Sequence, residues 1–220
     1  MQRRQFIQQA AGTALAPAWT GDEAGARKLE SDLKKQFPVA TLLNVYWLPT
    51  IDARIELAKN NPAGAVEILQ SVQSPLELGI DDICLNAIYA RGEAYLAAGQ
   101  GSAAAGEFQK ILDHAGIVLD CAKGALARLG LARAYALEAG LGGIATPALR
   151  NHGGTTVQTS MNRGTPPTPR PDALAKARAA YEDFLTLWKD ADPDLPILKQ
   201  AKEEYARLDQ VVSLPHAHMP

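Results

Sequence analysis

Apolar residues along this chain recur at intervals of three and four, the spacing that lays one stripe along an α-helix, and the stripes come in pairs separated by short polar turns. After Gly21, Asp22 and Glu23 favour a helix start, Ala26, Leu29 and Leu33 line one face, and Phe37-Pro38 ends it; the residues before Thr20 supply its partner. From Thr41 to Asn60, the positions Leu42, Val45, Tyr46, Leu48, Ile51, Ile55 and Leu57 suit another helix. Pro49 predicts a kink or break in it, because proline lacks an N–H donor and crowds the preceding turn. A turn at Asn60-Asn61-Pro62 leads into a partner helix carrying Ala65, Val66, Ile68 and Leu69, with Pro62 in its first turn. In the next pair, Asp81 and Asp82 start a helix through Leu85, Ile88, Tyr89 and Tyr95, closed by Gly99-Gln100-Gly101. Ser102 then caps a helix presenting Ala104, Phe108, Ile111 and Leu112.

A further first helix runs from about Asp120 to Glu138 on Leu126, Leu129, Leu131 and Tyr135, but its partner does not follow at once. Residues 141–171 hold five Gly, five Pro and six Thr, no acid, and no period of 3.6 or 2. Such a stretch buries too little apolar surface to offset its ordering entropy, which predicts an exposed, mobile loop. The helical pattern resumes at Pro171-Asp172 through Ala177, Tyr181, Phe184, Leu185 and Trp188. A last helix from about Leu195 to Gln210 turns Leu198, Ala201, Tyr205 and Leu208 inward, places Glu203-Glu204 on a solvated face, and has the character of a terminal cap. The expected organisation is residues 1–20 as an export signal or partial first helix, 21–140 as helix pairs, 141–171 as a flexible insertion, 172–210 as the end of the last unit plus its cap, and 211–220 as a flexible tail.

The pairs superpose. Arg91-Gly-Glu-Ala-Tyr-Leu-Ala-Ala-Gly99 and Leu131-Ala-Arg-Ala-Tyr-Ala-Leu-Glu-Ala-Gly140 are near repeats forty residues apart. Small residues Ala53, Gly92 and Ala132 form a column where a neighbouring helix must pass close, with Glu56, Tyr95 and Tyr135 three positions on. In the second helices, Ala65, Ala104 and Ala177 are followed four positions later by Leu69, Phe108 and Tyr181. These spacings put all of them on packing faces. The pattern resembles the tetratricopeptide repeat, although the columns recur every 39 or 40 residues where about 34 is usual. The resemblance implies an all-α, right-handed superhelix of antiparallel helix pairs, an α–α solenoid. Segments such as Tyr46-Trp-Leu-Pro-Thr50, Phe108-Gln-Lys-Ile-Leu112 and Asp183-Phe-Leu-Thr-Leu-Trp-Lys-Asp190 also resemble the C-terminal repeat region of large acidobacterial serine/threonine kinases and winged-helix regulators, without either effector domain.

Composition narrows the partners. With 47% of 220 residues hydrophobic, a sizeable core can form, and a net charge of −2 argues against nucleic acid or an anionic membrane. No apolar run reaches the ~18 residues of a membrane span. Cys84 and Cys121 form no CxxC pair and fall within expected helices, so each reads as a buried free thiol. Arg3-Arg4, with Ala10 to Ala18 behind them, resembles a twin-arginine export signal, the alternative being a helix with both arginines in solvent. Cytoplasmic residence is the expectation and export the alternative.

No glycine-rich phosphate loop, His-Arg-Asp or Asp-Phe-Gly segment is present, which excludes a kinase. His216 and His218 lie in the tail, His152 in the insertion, and His114 ends a helix, so no nucleophile, base and orienting group share a rigid frame. Neither a cofactor nor a metal site is expected, and the chain reads as a non-enzyme. Recognition remains. By the geometry the resemblance implies, Arg54, Glu93 and Arg133 follow the small column and look into a concave groove, with Asn86 and Tyr89 nearby. They would hold an extended peptide or a helix of an unidentified protein. A regulatory fragment of a larger kinase or transcription factor, and an exported assembly protein, are the alternatives.

Overall fold

The computed structural model describes residues 2–72, 78, 84–118, 121–145 and 170–213. The Asp81-Asp82 start, most of the 141–171 insertion, His152, His216 and His218 lie outside them. The fold is all-α with helices packed in pairs, consistent with a helical repeat. In chain order the helices are α1 (Gln2–Thr20), α2 (Glu23–Gln36), a π-helical segment (Leu43–Trp47) running into α3 (Leu48–Ala58), and α4 (Pro62–Gln70). They continue with α5 (Asn86–Ala97), α6 (Gly101–Asp113), α7 (Ala115–Val118), α8 (Ala122–Glu138), α9 (Gly142–Ala145), α10 (Pro171–Leu187) and α11 (Pro196–Ser213). The pairs are α1/α2, α3/α4, α5/α6 and α8/α10, with α11 against α10; the first helices α1, α3, α5 and α8 also touch in succession.

Each first helix ends the same way. Gly21, Asn60, Gly99 and Gly140 all have positive φ, at 82°, 62°, 75° and 86°. The residue after each donates its N–H five positions back: Asp22 to Pro17, Asn61 to Glu56, Gln100 to Tyr95 and Leu141 to Ala136, at 2.8–2.9 Å. This left-handed cap satisfies carbonyls that the helix end would otherwise leave open. Seven residues before the first three caps stand Ala14, Ala53 and Gly92, all buried, so α1 continues the small-residue column and is the first helix of its own pair. Ala132 stands eight before Gly140, one residue more.

Local chemistry explains most boundaries and corrects several. Asp22 caps α2 by accepting from Gly25 N–H at 2.9 Å, and Asn61 caps α4 by accepting from Gly64 N–H at 3.1 Å. Pro49 does not break its helix, which runs on through α3. The backbone instead widens just before it, where Leu48 N–H bonds Leu43 C=O, and that π-turn absorbs the crowding a proline imposes. Ser102 is not a cap: α6 begins at Gly101 with Gln100 as N-cap and no side-chain cap bond. Leu85 is not helical either. It is the N-cap of α5 in the left-handed conformation (φ 48°, ψ 48°), and Tyr46 Oη accepts from Ala87 N–H at 3.2 Å in place of a cap.

The two cysteines are not free thiols. Cys84 and Cys121 form a disulfide; Cys84 precedes α5 and Cys121 is the N-cap of α8, so neither is inside a helix. Glu204 is likewise not solvated but fully buried, while Glu203 is exposed. The core columns pack as follows: Ala53, Gly92, Ala132, Ala65, Ala104, Ala177, Leu69, Phe108 and Tyr181 are buried, and Tyr95 and Tyr135 are half-buried. Arg91 is 0% exposed. Its guanidinium joins three helices, donating to Glu107 Oε2 at 2.7 Å and to Leu69 C=O at 3.2 Å.

Candidate functional site

Four first helices deliver aromatic and charged side chains to one face. Trp19 from the last turn of α1 and Tyr89 from the first turn of α5 bring their rings to 5.8 Å between centroids, tilted by 34°. The Arg54 guanidinium of α3 lies 3.6 Å from the Trp19 ring centre, a cation–π contact. The Lys123 ammonium of α8 approaches Trp19 at 5.1 Å and Tyr89 at 5.8 Å, and it donates to Asn86 Oδ1 on α5. Arg54 Nη1 pairs with Glu93 Oε2.

Of the five residues singled out from the sequence, Arg54, Asn86, Tyr89 and Glu93 come together here and Arg133 does not. Arg54, Asn86 and Tyr89 are buried, and the Glu93 side chain is 20% exposed. Arg133 is turned away toward α11: its Nε and Nη2 donate to Glu204 Oε2 and Oε1 at 2.9 and 3.0 Å. Tyr181 Oη on α10 donates to the same Oε2 at 3.0 Å. The one-after-column positions alternate in charge, and neighbouring units hold them side by side, so Arg54 and Glu93 bond each other across the helix boundary. Burial pushes the Glu93 carboxyl above the usual carboxylate range, opposed by Arg54, Lys123 and Arg133. Burial works against the Arg133 charge, yet Glu204 holds its pKa above the ordinary arginine value.

Trp19, Lys123, Glu204 and Tyr181 complete the arrangement and were not expected there. Glu204 had a signal: it lies three after Ala201 and four before Leu208, on the inward stripe of α11. Trp19 had a weaker one, as a large aromatic two residues before the Gly21 cap. Lys123 had none, because its role depends on where α8 starts. His114 is the C-cap of α6, with Nδ1 2.7 Å from Lys110 C=O.

Burial pushes the Tyr89 and Tyr181 phenols well above tyrosine's ordinary 10.0. A raised folded-state pKa stabilises the fold below the unfolded-state value and ceases to do so as pH rises past it. The chain is therefore expected to lose stability above about pH 10, with these two phenols ionising only on unfolding. Phenolate absorbance recorded alongside circular dichroism checks this; complete tyrosine ionisation with helicity intact would refute it.

Elsewhere, a cavity of about 190 Å³ lies between Ala18, Gly21, Glu23, Ile55, Ala58 and Lys59, below the ~300 Å³ of ordinary ligand pockets. The Lys59–Glu23 ion pair of 2.6 Å joins two of those residues. Among the described residues no three His, Cys, Asp or Glu side chains gather to hold a metal, and no helix is long and apolar enough to cross a membrane. The chain matches no family model, no curated protein and no solved structure.

Proposed function

We propose that this protein is a non-catalytic interaction scaffold that recognises a peptide or helix of a partner protein on the face shared by α1, α3, α5 and α8. The observation that carries this is the convergence of Trp19, Arg54, Tyr89, Glu93 and Lys123 from four different helices. Recognition surfaces concentrate their binding energy in aromatic and arginine anchors ringed by polar groups, and Trp19 and Lys123 are half-buried, with part of each within reach of solvent. The units are read as tetratricopeptide-like and wound in a right-handed superhelix, which would make this face the concave one. The small-residue columns and the repeated left-handed caps support that reading.

The exported-assembly alternative draws on one specific observation, the Cys84–Cys121 disulfide, since such bonds persist mainly in oxidising compartments. Within the fold, Ala11, Ala14, Leu15 and Ala18 of α1 are buried in the core, so an exported form that kept α1 would keep this packing.

The test is selection of peptides from a displayed random library against the intact chain, followed by titration of the best one. Lys123→Glu is expected to weaken binding at least about tenfold, or about 1.4 kcal/mol. Lys189→Glu, at a side chain 71% exposed and ion-paired, among the described residues, with the neighbouring Asp190, should leave it unchanged. Failure to enrich any peptide, or equal affinity of parent and Lys123→Glu, sinks the proposal.

A further inference from the structure

The Cys84–Cys121 disulfide spans a sequence separation of 37 and fastens the start of α5 to the start of α8. Both cysteines are half-buried, each with part of its surface in solvent. Neither N-cap residue, Leu85 or Cys121, caps its helix with its own side chain; at α5 the Tyr46 hydroxyl accepts the Ala87 N–H instead. Next to Cys84, Leu85 is fully buried and held at φ 48°, a region that bulky residues occupy only when their surroundings impose it. Two residues beyond each cysteine come Asn86 and Lys123, which are hydrogen-bonded to each other. Lys123 in turn lies over Trp19 and Tyr89. The covalent clasp thus fastens the two helix starts that bring Tyr89 and Lys123 to the face completed by Trp19 and Arg54.

We propose that Cys84–Cys121 is a thiol–disulfide exchange site, taking a dithiol reductant, whose state sets whether the Trp19–Tyr89–Lys123 face is assembled. This rests on the reading of that face as the recognition surface. In the exchange, one thiolate of the dithiol attacks a cysteine sulfur, the protein S–S bond breaks, and the other cysteine leaves as a thiolate that takes up a proton. The second thiolate of the reductant then attacks the mixed disulfide, closing the reductant's own S–S bond and releasing the remaining cysteine. The protein gains two electrons and two protons; the dithiol loses them. With the clasp open, Leu85 is free to leave the left-handed region, the first turns of α5 and α8 fray, and the Lys123–Asn86 bond lets go. Lys123 then withdraws from the two rings.

The experiment uses the intact chain, air-oxidised and then treated with dithiothreitol at neutral pH. Alkylation under native conditions should label no cysteine before reduction and two after. Amide exchange at residues 86–90 and 122–126 should speed up at least about tenfold on reduction, while residues 172–187 and 197–213 change less than about twofold. The Trp19 indole resonance should move and that of Trp188 should stay. A peptide selected on the oxidised chain should bind the reduced chain at least about fivefold more weakly. Cys84→Ser/Cys121→Ser should match the reduced state; if that variant does not fold, reduction of the parent carries the comparison. Two labelled cysteines without reductant, unchanged exchange after reduction, or unchanged peptide affinity would each overturn the proposal. If selection yields no peptide, the recognition reading fails while labelling, exchange and the Trp19 signal still decide the clasp.

Discussion

Replacing Glu204 by glutamine is expected to lower the unfolding free energy by about 3–5 kcal/mol. Glu204 is 0% exposed and accepts three hydrogen bonds, two from Arg133 on α8 and one from Tyr181 on α10. One carboxylate on α11 thereby ties three helices. Glutamine keeps the shape but removes the charge and turns an NH2 group toward donors, so Arg133, itself only 6% exposed, is left as a buried cation without its counter-ion. That desolvation, not the lost attraction, makes the effect large. Exposed pairs such as Arg178–Asp209, with both side chains 43% exposed, are worth far less because water screens them. Removing the whole network by Arg133→Met, Tyr181→Phe and Glu204→Leu together should recover most of the loss, since a buried ion pair replaced by apolar groups is near neutral. Urea unfolding of the single and triple variants provides the measurement. A single-variant loss below about 1 kcal/mol, the level of a surface pair, would show that Arg133 finds another partner or water.

Glu204 also marks where sequence reasoning reaches and where it stops. The spacing carried its place on the inward stripe of α11, because a helix returns to the same face every three or four residues, but the paired acids were read as solvated and Glu204 is buried. Its partner, seventy-one residues away, is not carried by spacing, because spacing orders residues along one helix and says nothing about which distant side chain faces them. The same limit governs the column Arg54, Glu93 and Arg133. Repetition put all three at equivalent positions, and their alternating charge was already visible. Equivalent positions in stacked units become neighbours, however, so residues expected to await a partner spend much of their charge on one another or on α11. The disulfide escaped for a different reason. Helix patterns drawn from Asp81 and Asp120 swallowed Cys84 and Cys121, whereas α5 and α8 begin at Asn86 and Ala122, and only cysteines outside the helices come together where those helices start.

Phe108→Ala is expected to cost about 3–5 kcal/mol, and its more telling companion is Gly130→Ala, whose effect should change sign between backgrounds. The Phe108 ring on α6 is fully buried and wedged between Gly92 of α5 and Gly130 of α8. A Cβ built on Gly92 would fall 2.8 Å from the ring, and one on Gly130 2.5 Å from it, both too close for carbon atoms. In the parent, Gly130→Ala gains about 1 kcal/mol of helix propensity but forces a ring that has nowhere to go, an overpacking cost of about 1–3 kcal/mol. The clash wins, and the variant should be the less stable. In the Phe108→Ala background the ring is gone, the added methyl enters the cavity, and Gly130→Ala should become stabilising. Gly106, with nothing within 4 Å of its Cβ position, isolates the propensity effect: Gly106→Ala should stabilise both backgrounds by the same ~1 kcal/mol or slightly less. Denaturant midpoints of the six chains settle it, since a Gly130→Ala effect of one sign in both backgrounds would mean that the ring is not what keeps that position glycine. The small column thus acts through a single aromatic side chain: where Ala53 and Ala132 tolerate a methyl, Gly92 does not, because α6 brings phenylalanine to the position that Leu69 occupies in the unit before.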